Sequence, residues 1–233
     1  MSAIFKREFK SYFTTPLGFV IIAIMFFFLG QGFSSIYIAD YGNLAFVFSA
    51  VNTYAMLVAP LITMRLFSEE KRQKTDQLLL TSPVKVSHIV LGKFFAAMTL
   101  FMLCYSITLI FEFVLMAVTD VNLLLYLSCL LGVFLMGAAI IAIGTFISSL
   151  TDSQIIAAVL GIIASLFVLM IDYFATIINN GVVTAICDFL SFNTRFNTFV
   201  SGIIDFSNIV FFLSVISLFL FLTMRSLEKK RWV

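Results

Sequence analysis

Residues Phe67 to Lys93, FSEEKRQKTDQLLLTSPVKVSHIVLGK, form the longest charged stretch in a chain that is otherwise almost continuously apolar. On either side lie windows long enough to cross a bilayer, for which a helix needs about 20 apolar residues. Six such windows are present: Leu17 to Tyr37, Leu44 to Met64, Phe94 to Ala117, Val121 to Ile147, Gln154 to Ile178 and Phe206 to Met224. The stretch 67–93 therefore joins the second span to the third, and it is where a partner outside the membrane can reach the protein.

Composition agrees. Of 233 residues 62% are hydrophobic and 11% charged, with 29 Phe against one Trp, which lies far outside the soluble range. The runs are neither about ten residues long nor alternating in polarity, so a β-barrel is excluded and an all-α membrane protein of six transmembrane helices is expected. A net charge of +2 gives no reason to invoke nucleic acid. Its distribution is more telling: Lys6, Arg7 and Lys10 precede the first span, Arg65, Lys71, Arg72, Lys74, Lys85 and Lys93 lie around the second connection, and Arg225, Lys229, Lys230 and Arg231 follow the sixth. With six spans all of these share one side and only Arg195 falls on the other, so the positive-inside rule places both termini and the charged loop in the cytoplasm. The first apolar run exceeds a signal peptide's apolar core and ends without a small-residue cleavage site, so it reads as a permanent anchor. Cys104, Cys129 and Cys187 make no disulfide framework.

Local patterns add detail. In residues 1–14 the side chains Phe5, Phe9, Tyr12 and Phe13 share a helical face while Lys6, Arg7 and Lys10 turn away, the pattern of an interfacial helix on the inner leaflet, in contact with membrane lipid. Thr15-Pro16 then starts a new helix, as a cap followed by a first-turn proline. Ser82-Pro83 repeats that punctuation and predicts a helix running from Pro83 through Lys93 into the third span. The piece before it, roughly Ser68 to Leu80, is a charged stem with an apolar tip, Leu78, Leu79 and Leu80, which either folds back onto the membrane interface or docks into a partner. Ser153, Ala157, Gly161 and Ser165 in the fifth span, and Ala138 with Ala142 and Gly144 with Ser148 in the fourth, allow close helix approach, within one subunit or at a dimer seam. Residues 179–205 are too polar to span and too apolar for a free loop, and read as short amphipathic or re-entrant helices capping the external side.

Catalytic chemistry has little to draw on. His88 has no HExxH partner and lies in a polar stretch, the cysteines do not cluster into a metal site, and neither a GxSxG elbow nor a phosphate-binding GxxxxGK[ST] loop occurs. Any nucleotide energy must come from another chain. Glu112 and Asp172 interrupt the third and fifth spans, each roughly 27–28 Å from the cytoplasmic start of its helix, so both are expected near the external surface. They are candidates for pairing with Arg195 beneath the external cap or for lining a substrate exit.

With these residues in view, the chain resembles the permease subunits of type-2 ABC exporters, in particular the gliding-motility and copper-enzyme-maturation branch. The resemblance rests on Phe67-Ser68-Glu69-Glu70-Lys71-Arg72, on Thr75-Asp76-Gln77-Leu78-Leu79-Leu80-Thr81-Ser82-Pro83-Val84, on Leu91-Gly92-Lys93, and near the C-terminus on Gly202-Ile203-Ile204-Asp205 and Leu227-Glu228-Lys229-Lys230-Arg231-Trp232. It covers essentially the whole chain as a single permease domain, 1–233. It implies a bacterial cytoplasmic-membrane subunit with a cytoplasmic coupling helix in 67–93. Two such permeases, identical or related, would work with two copies of an ABC ATPase that carries the ATP and Mg, with an auxiliary protein bearing an external domain as a further partner. The coupling residues would be Glu69, Glu70, Lys71, Arg72 and Thr75 as polar contacts, with Leu78, Leu79, Leu80 and Pro83 as the apolar anchor and lever. Where members of the family often carry Gly, this chain has Lys74. Two readings of other classes stand beside it. One is an ion-coupled secondary transporter or channel using Glu112 and Asp172, although no inverted repeat or Gly/Pro-broken span pair is evident. The other is a non-transporting membrane anchor of an envelope complex.

Overall fold

The computed structural model describes residues 1–39, 44–75, 84–117, 122–178, 187 and 189–231, and at 37–39, 174–178, 230 and 231 the backbone alone. Among the described residues every regular element is a helix. These are α1 (Ser2–Thr14), α2 (Pro16–Ala39), α3 (Ala45–Thr63), α4 (Ser68–Arg72), α5 (Val86–Tyr105), α6 (Ile107–Met116), α7 (Leu123–Leu150), α8 (Gln154–Ile178), α9 (Phe192–Val200) and α10 (Phe206–Arg231). Among the described residues six spans are long and apolar enough to cross a membrane: α2, α3, α5 continued by α6, α7, α8 and α10. The protein is an all-helical integral membrane protein.

The fourth span, α7, is the axis of the bundle. It packs against α10, α3, α5 and α8, and about two thirds of its span is buried within the chain. In lipid the hydrophobic effect gives apolar helices no reason to prefer one another to acyl chains, so close fit and polar contacts decide their association. Fit is visible at Gly144, where a Cβ would lie 2.2 Å from Thr63 Oγ1, and at Gly161, where it would lie 2.8 Å from Pro60 Cβ. Gly144 of span four and Gly161 of span five are thus spent on the second span inside one subunit.

The third span is not one helix. A turn at Ser106 separates α5 from α6, and its bonds run to i−3: Ser106 N–H to the Leu103 carbonyl at 3.1 Å, Leu109 N–H to the Ser106 carbonyl at 3.2 Å, while the Ser106 hydroxyl also donates to Leu103 at 2.7 Å. A serine hydroxyl competing for its own helix's carbonyls tightens the turn locally.

One end of the bundle gathers α1, the end of α3, α4, the start of α5 and the end of α7, with Arg7, Arg65, Lys71 and Lys93 among them. At the opposite end α9 lies on the first turns of α7. The Ser128 hydroxyl donates to the Phe199 carbonyl at 2.8 Å, and a Cβ on Gly132 would lie 2.8 Å from Phe199 Cβ. Ser191 caps α9, accepting the Thr194 N–H at 3.0 Å, and Phe192, Phe196 and Phe199 form its buried face. α9 lies within 179–205, where short amphipathic or re-entrant helices are expected; residues 179–186 and 188 lie outside the described residues.

Candidate functional site

The charged connection departs from its expected shape. Of the helix expected from Ser68 to about Leu80, the described residues hold the five-residue α4, which closes at Gln73; residues 76–80 lie outside the described residues. Lys74 has φ +56°, a left-handed conformation that costs a side-chain-bearing residue about 1–2 kcal/mol and that glycine adopts freely. Around it the Lys74 N–H bonds to the Lys71 carbonyl at 3.0 Å and the Thr75 N–H to the Glu70 carbonyl at 2.9 Å, the paired bonds that close a helix C-terminus. Lys74 is therefore where the helix ends, in a conformation that suits Gly. At the far side α5 starts at Val86, with Lys85 extended, three residues later than the Ser82-Pro83 punctuation predicts. Leu78, Leu79, Leu80 and Pro83 lie outside the described residues.

Of the four charges expected to face a partner, three turn into the chain. Glu69 pairs with Arg65 across one helical turn, Oε2 to Nε 3.2 Å. Arg65 in turn donates to Thr15 Oγ1 at 2.7 Å and Ser11 Oγ at 2.8 Å and lies over the Tyr12 ring, tying the end of α3 to the end of α1. Glu70 meets Arg7 at 2.5 Å and Lys93 at 3.0 Å. Lys71, with 4% of its side chain exposed, donates to the Ser149 carbonyl and to the Thr151 carbonyl at 3.4 Å, and lies 3.5 Å from Asp152. Only Arg72 of the quartet is exposed, followed by exposed Gln73, Lys74 and Thr75.

Lys93 is the centre of this cluster. It reads in sequence as the charge that opens the third span, yet its side chain is 1% exposed. It donates to the Leu66 carbonyl, pairs with Glu8 at 3.2 Å and Glu70 at 3.0 Å, and sits 5.0 Å from the Phe67 ring centroid. Burial works against the charge on Glu8, but Lys93 and Arg7 outweigh it and hold the carboxyl below its ordinary value. Burial likewise opposes the charge on Arg7, and Glu8 and Glu70 outweigh it, raising the guanidinium. Tyr12 donates its hydroxyl to the Ile62 carbonyl at 2.8 Å, and burial pushes the phenol up, keeping it a neutral donor. Beside these groups an open polar cleft of about 320 Å³ runs from Arg7 and Ser11 to Gln73 and Thr75.

This cluster was invisible as such in the sequence. The signal that was present is Glu8 among the cations of an amphipathic segment, an acid with no reason to be there unless a cation meets it.

The residues expected at the external end are not brought together. Glu112 is 3% exposed on the buried face of α6, and neither carboxylate oxygen has a hydrogen-bond partner among the described residues. One turn earlier Thr108 meets the Tyr126 hydroxyl at 3.1 Å. Asp172 is half-buried on α8. Arg195 pairs with neither: its guanidinium donates to Asn208 Oδ1 at 2.8 Å and the Phe189 carbonyl at 3.0 Å, and lies 4.1 Å from the Phe211 ring centroid. Burial lowers its pKa and Asp205 offsets part of that. The reason is positional, since the start of α10 lies beside α9 and takes up the fork. His88 is exposed.

Residues 37–225 match a family model described as ABC-2 family transporter protein. No curated protein matches the chain.

Proposed function

We propose that this chain, which belongs to the ABC-2 transporter family and is an integral membrane permease subunit of an ABC transporter, moves its substrate outward when a separate ATPase subunit pushes on the segment 67–93. The observation that carries the reading is the placement of α4. It lies at the cationic end of the bundle, fixed to spans two, three and four, and it leads directly into the leucine-bearing stretch 76–83. A loop rooted so firmly transmits a push; a loop rooted in solvent would absorb it.

On this reading the cationic end is cytoplasmic, with both termini there and the membrane the bacterial cytoplasmic one, in keeping with the charge distribution. Partner contact falls to exposed Arg72 and Thr75 and to Leu78, Leu79 and Leu80, with Pro83 stiffening the return. Glu69, Glu70 and Lys71 serve coupling from within, as the root of the lever. ATP and Mg bind the partner ATPase, present in two copies, and a second permease, identical or related, completes the path. Membership of the gliding-motility and copper-enzyme-maturation branch, with an auxiliary protein carrying an external domain, rests on the sequence resemblance. Glu112, Asp172 and Arg195 mark the exit side, where a buried carboxylate with unfilled acceptor sites suits a substrate group that donates hydrogen bonds.

The test is ATP hydrolysis by the permease with its partner, reconstituted in lipid. Leu78→Asp/Leu79→Asp, and separately Arg72→Glu, should lower permease-dependent hydrolysis while the variant elutes and melts like the native protein. Unchanged hydrolysis in both would place the docking surface elsewhere.

A further inference from the structure

Two lysines, Lys71 and Lys93, are almost completely buried at the cationic end, and each binds backbone carbonyls of another element. Burying an ammonium is costly unless carbonyls and carboxylates replace its water, and here they do. Lys71 reaches from α4 to the Ser149 and Thr151 carbonyls at the end of α7, where a helix leaves carbonyls unpaired and favours a cation. Lys93 reaches from α5 to the Leu66 carbonyl and to Glu8 and Glu70, on α1 and α4. Between them the Ser148 hydroxyl accepts the backbone N–H groups of Phe67 at 3.1 Å and Ser68 at 3.3 Å and donates to the Met64 carbonyl at 3.1 Å.

A helix of five residues has no stability of its own, because nucleation alone costs more than its few bonds return. The geometry of α4 is thus imposed by these contacts. Nor does stability explain the choice of lysine, since replacing a buried ion pair by apolar groups is often neutral or favourable. Charged contacts supply direction: they fix the position of one element along another, which apolar side chains sliding in lipid do not.

We infer that Lys71 and Lys93 are positioning residues that fasten α4 to spans three and four and to α1, so that force on 76–83 moves these elements as one body. This rests on the partner-driven reading above. The path of force then differs from one running along the backbone from Pro83 into span three. It enters span four directly through Lys71, and α9 at the far end is carried by span four through Ser128 and Gly132.

The experiment uses the complex with its ATPase in lipid nanodiscs. The three native cysteines are changed to Ser and a single cysteine is placed at exposed Asn197 on α9 or at Ser201 just after it. Its rate of maleimide labelling is compared without nucleotide and with ATP and vanadate. Nucleotide should change the rate in the native clasp. In Lys71→Met, and in Glu70→Gln/Lys93→Met where both charges leave together so that the fold survives, the partner should stay bound and hydrolyse ATP while the change at α9 is lost. Lys71→Arg, which keeps a donor, should retain it. The inference is overturned if the clasp variants transmit the same change as native, or if the native protein shows none despite hydrolysis. If the native chain carries no hydrolysing partner at all, the partner-driven reading falls with it, a result distinguished by absent hydrolysis rather than by uncoupled hydrolysis.

Discussion

Replacing Lys93 by Met removes the centre of the charged cluster without opening a void, and its cost can be worked from the geometry. Lys93 lies 3.2 Å from Glu8 and 3.0 Å from Glu70. At an effective dielectric of about 20 each contact is an attraction of about 5 kcal/mol, set against a desolvation cost of several kcal/mol per ion. The assembled cluster is therefore worth little net, but breaking it from one side is expensive. Lys93→Met leaves two carboxylates, 15% and 16% exposed, with Arg7 as their shared partner, and Arg7 is half exposed and screened. The single change should cost about 3 kcal/mol. Glu70→Gln, which leaves Lys93 paired with Glu8, should cost about 1–2 kcal/mol. Because the two residues interact, the double variant should fall short of their sum by about 1–2 kcal/mol. A double-mutant cycle on unfolding of the purified protein in mild detergent reads this directly. Additivity within about 0.5 kcal/mol, or a Lys93→Met cost below that, would refute the argument that Lys93 and Glu70 act as a pair.

Other outcomes follow from single contacts. Lys74→Gly should raise unfolding stability by about 1 kcal/mol, by relieving the left-handed strain at φ +56°; a loss would mean that the Lys74 side chain itself holds the turn. Gly144→Ala should cost about 1–3 kcal/mol because its Cβ would fall 2.2 Å from Thr63 Oγ1, and Thr63→Ala in the same chain should restore part of it, read as a recovery in melting temperature. Glu8 predicts a pH dependence. Its folded pKa lies below the ordinary value of 4.5, held there by Lys93 and Arg7 within a cluster that also contains Glu70, Arg65 and Glu69. Its stabilisation should be complete above that value and disappear as pH falls through the lower folded one. The stability gap between native protein and Glu8→Gln should accordingly be flat from neutral pH to about 5 and close below 4.5.

The six spans were legible because a bilayer imposes a length and a composition that few other environments demand. The fifth was bounded to the residue, Gln154–Ile178, and Pro16 opened the first spanning helix as its punctuation indicates. The helix α1 was equally plain, since Phe5, Phe9, Tyr12 and Phe13 recur on one face and Thr15-Pro16 ends it. What escaped were features decided by contacts between distant segments. Nothing local distinguishes Lys71, which points into span four, from Arg72, which points out, because a one-residue step on a short helix reverses the facing side. Lys93 reads as an ordinary boundary charge until α1 brings Glu8 beneath it. The break at Ser106 has no glycine or proline to announce it and depends on a hydroxyl choosing its own helix's carbonyl. Arg195 was matched to the nearest acids by depth, whereas the start of α10 was closer and offered an amide and an aromatic face.

The central claim is that a permease is driven through its charged loop by an ATPase on another chain. Its most direct test is purification of the tagged chain from its native membranes in mild detergent, followed by mass spectrometry and an ATPase assay, with Leu78→Asp/Leu79→Asp alongside. A soluble ATPase that accompanies the native chain and is lost from the variant is the expected result. Recovery of the membrane protein by itself, active in proteoliposomes without ATP, would contradict the claim and return Glu112 and Asp172 to the role of ion-coupling acids.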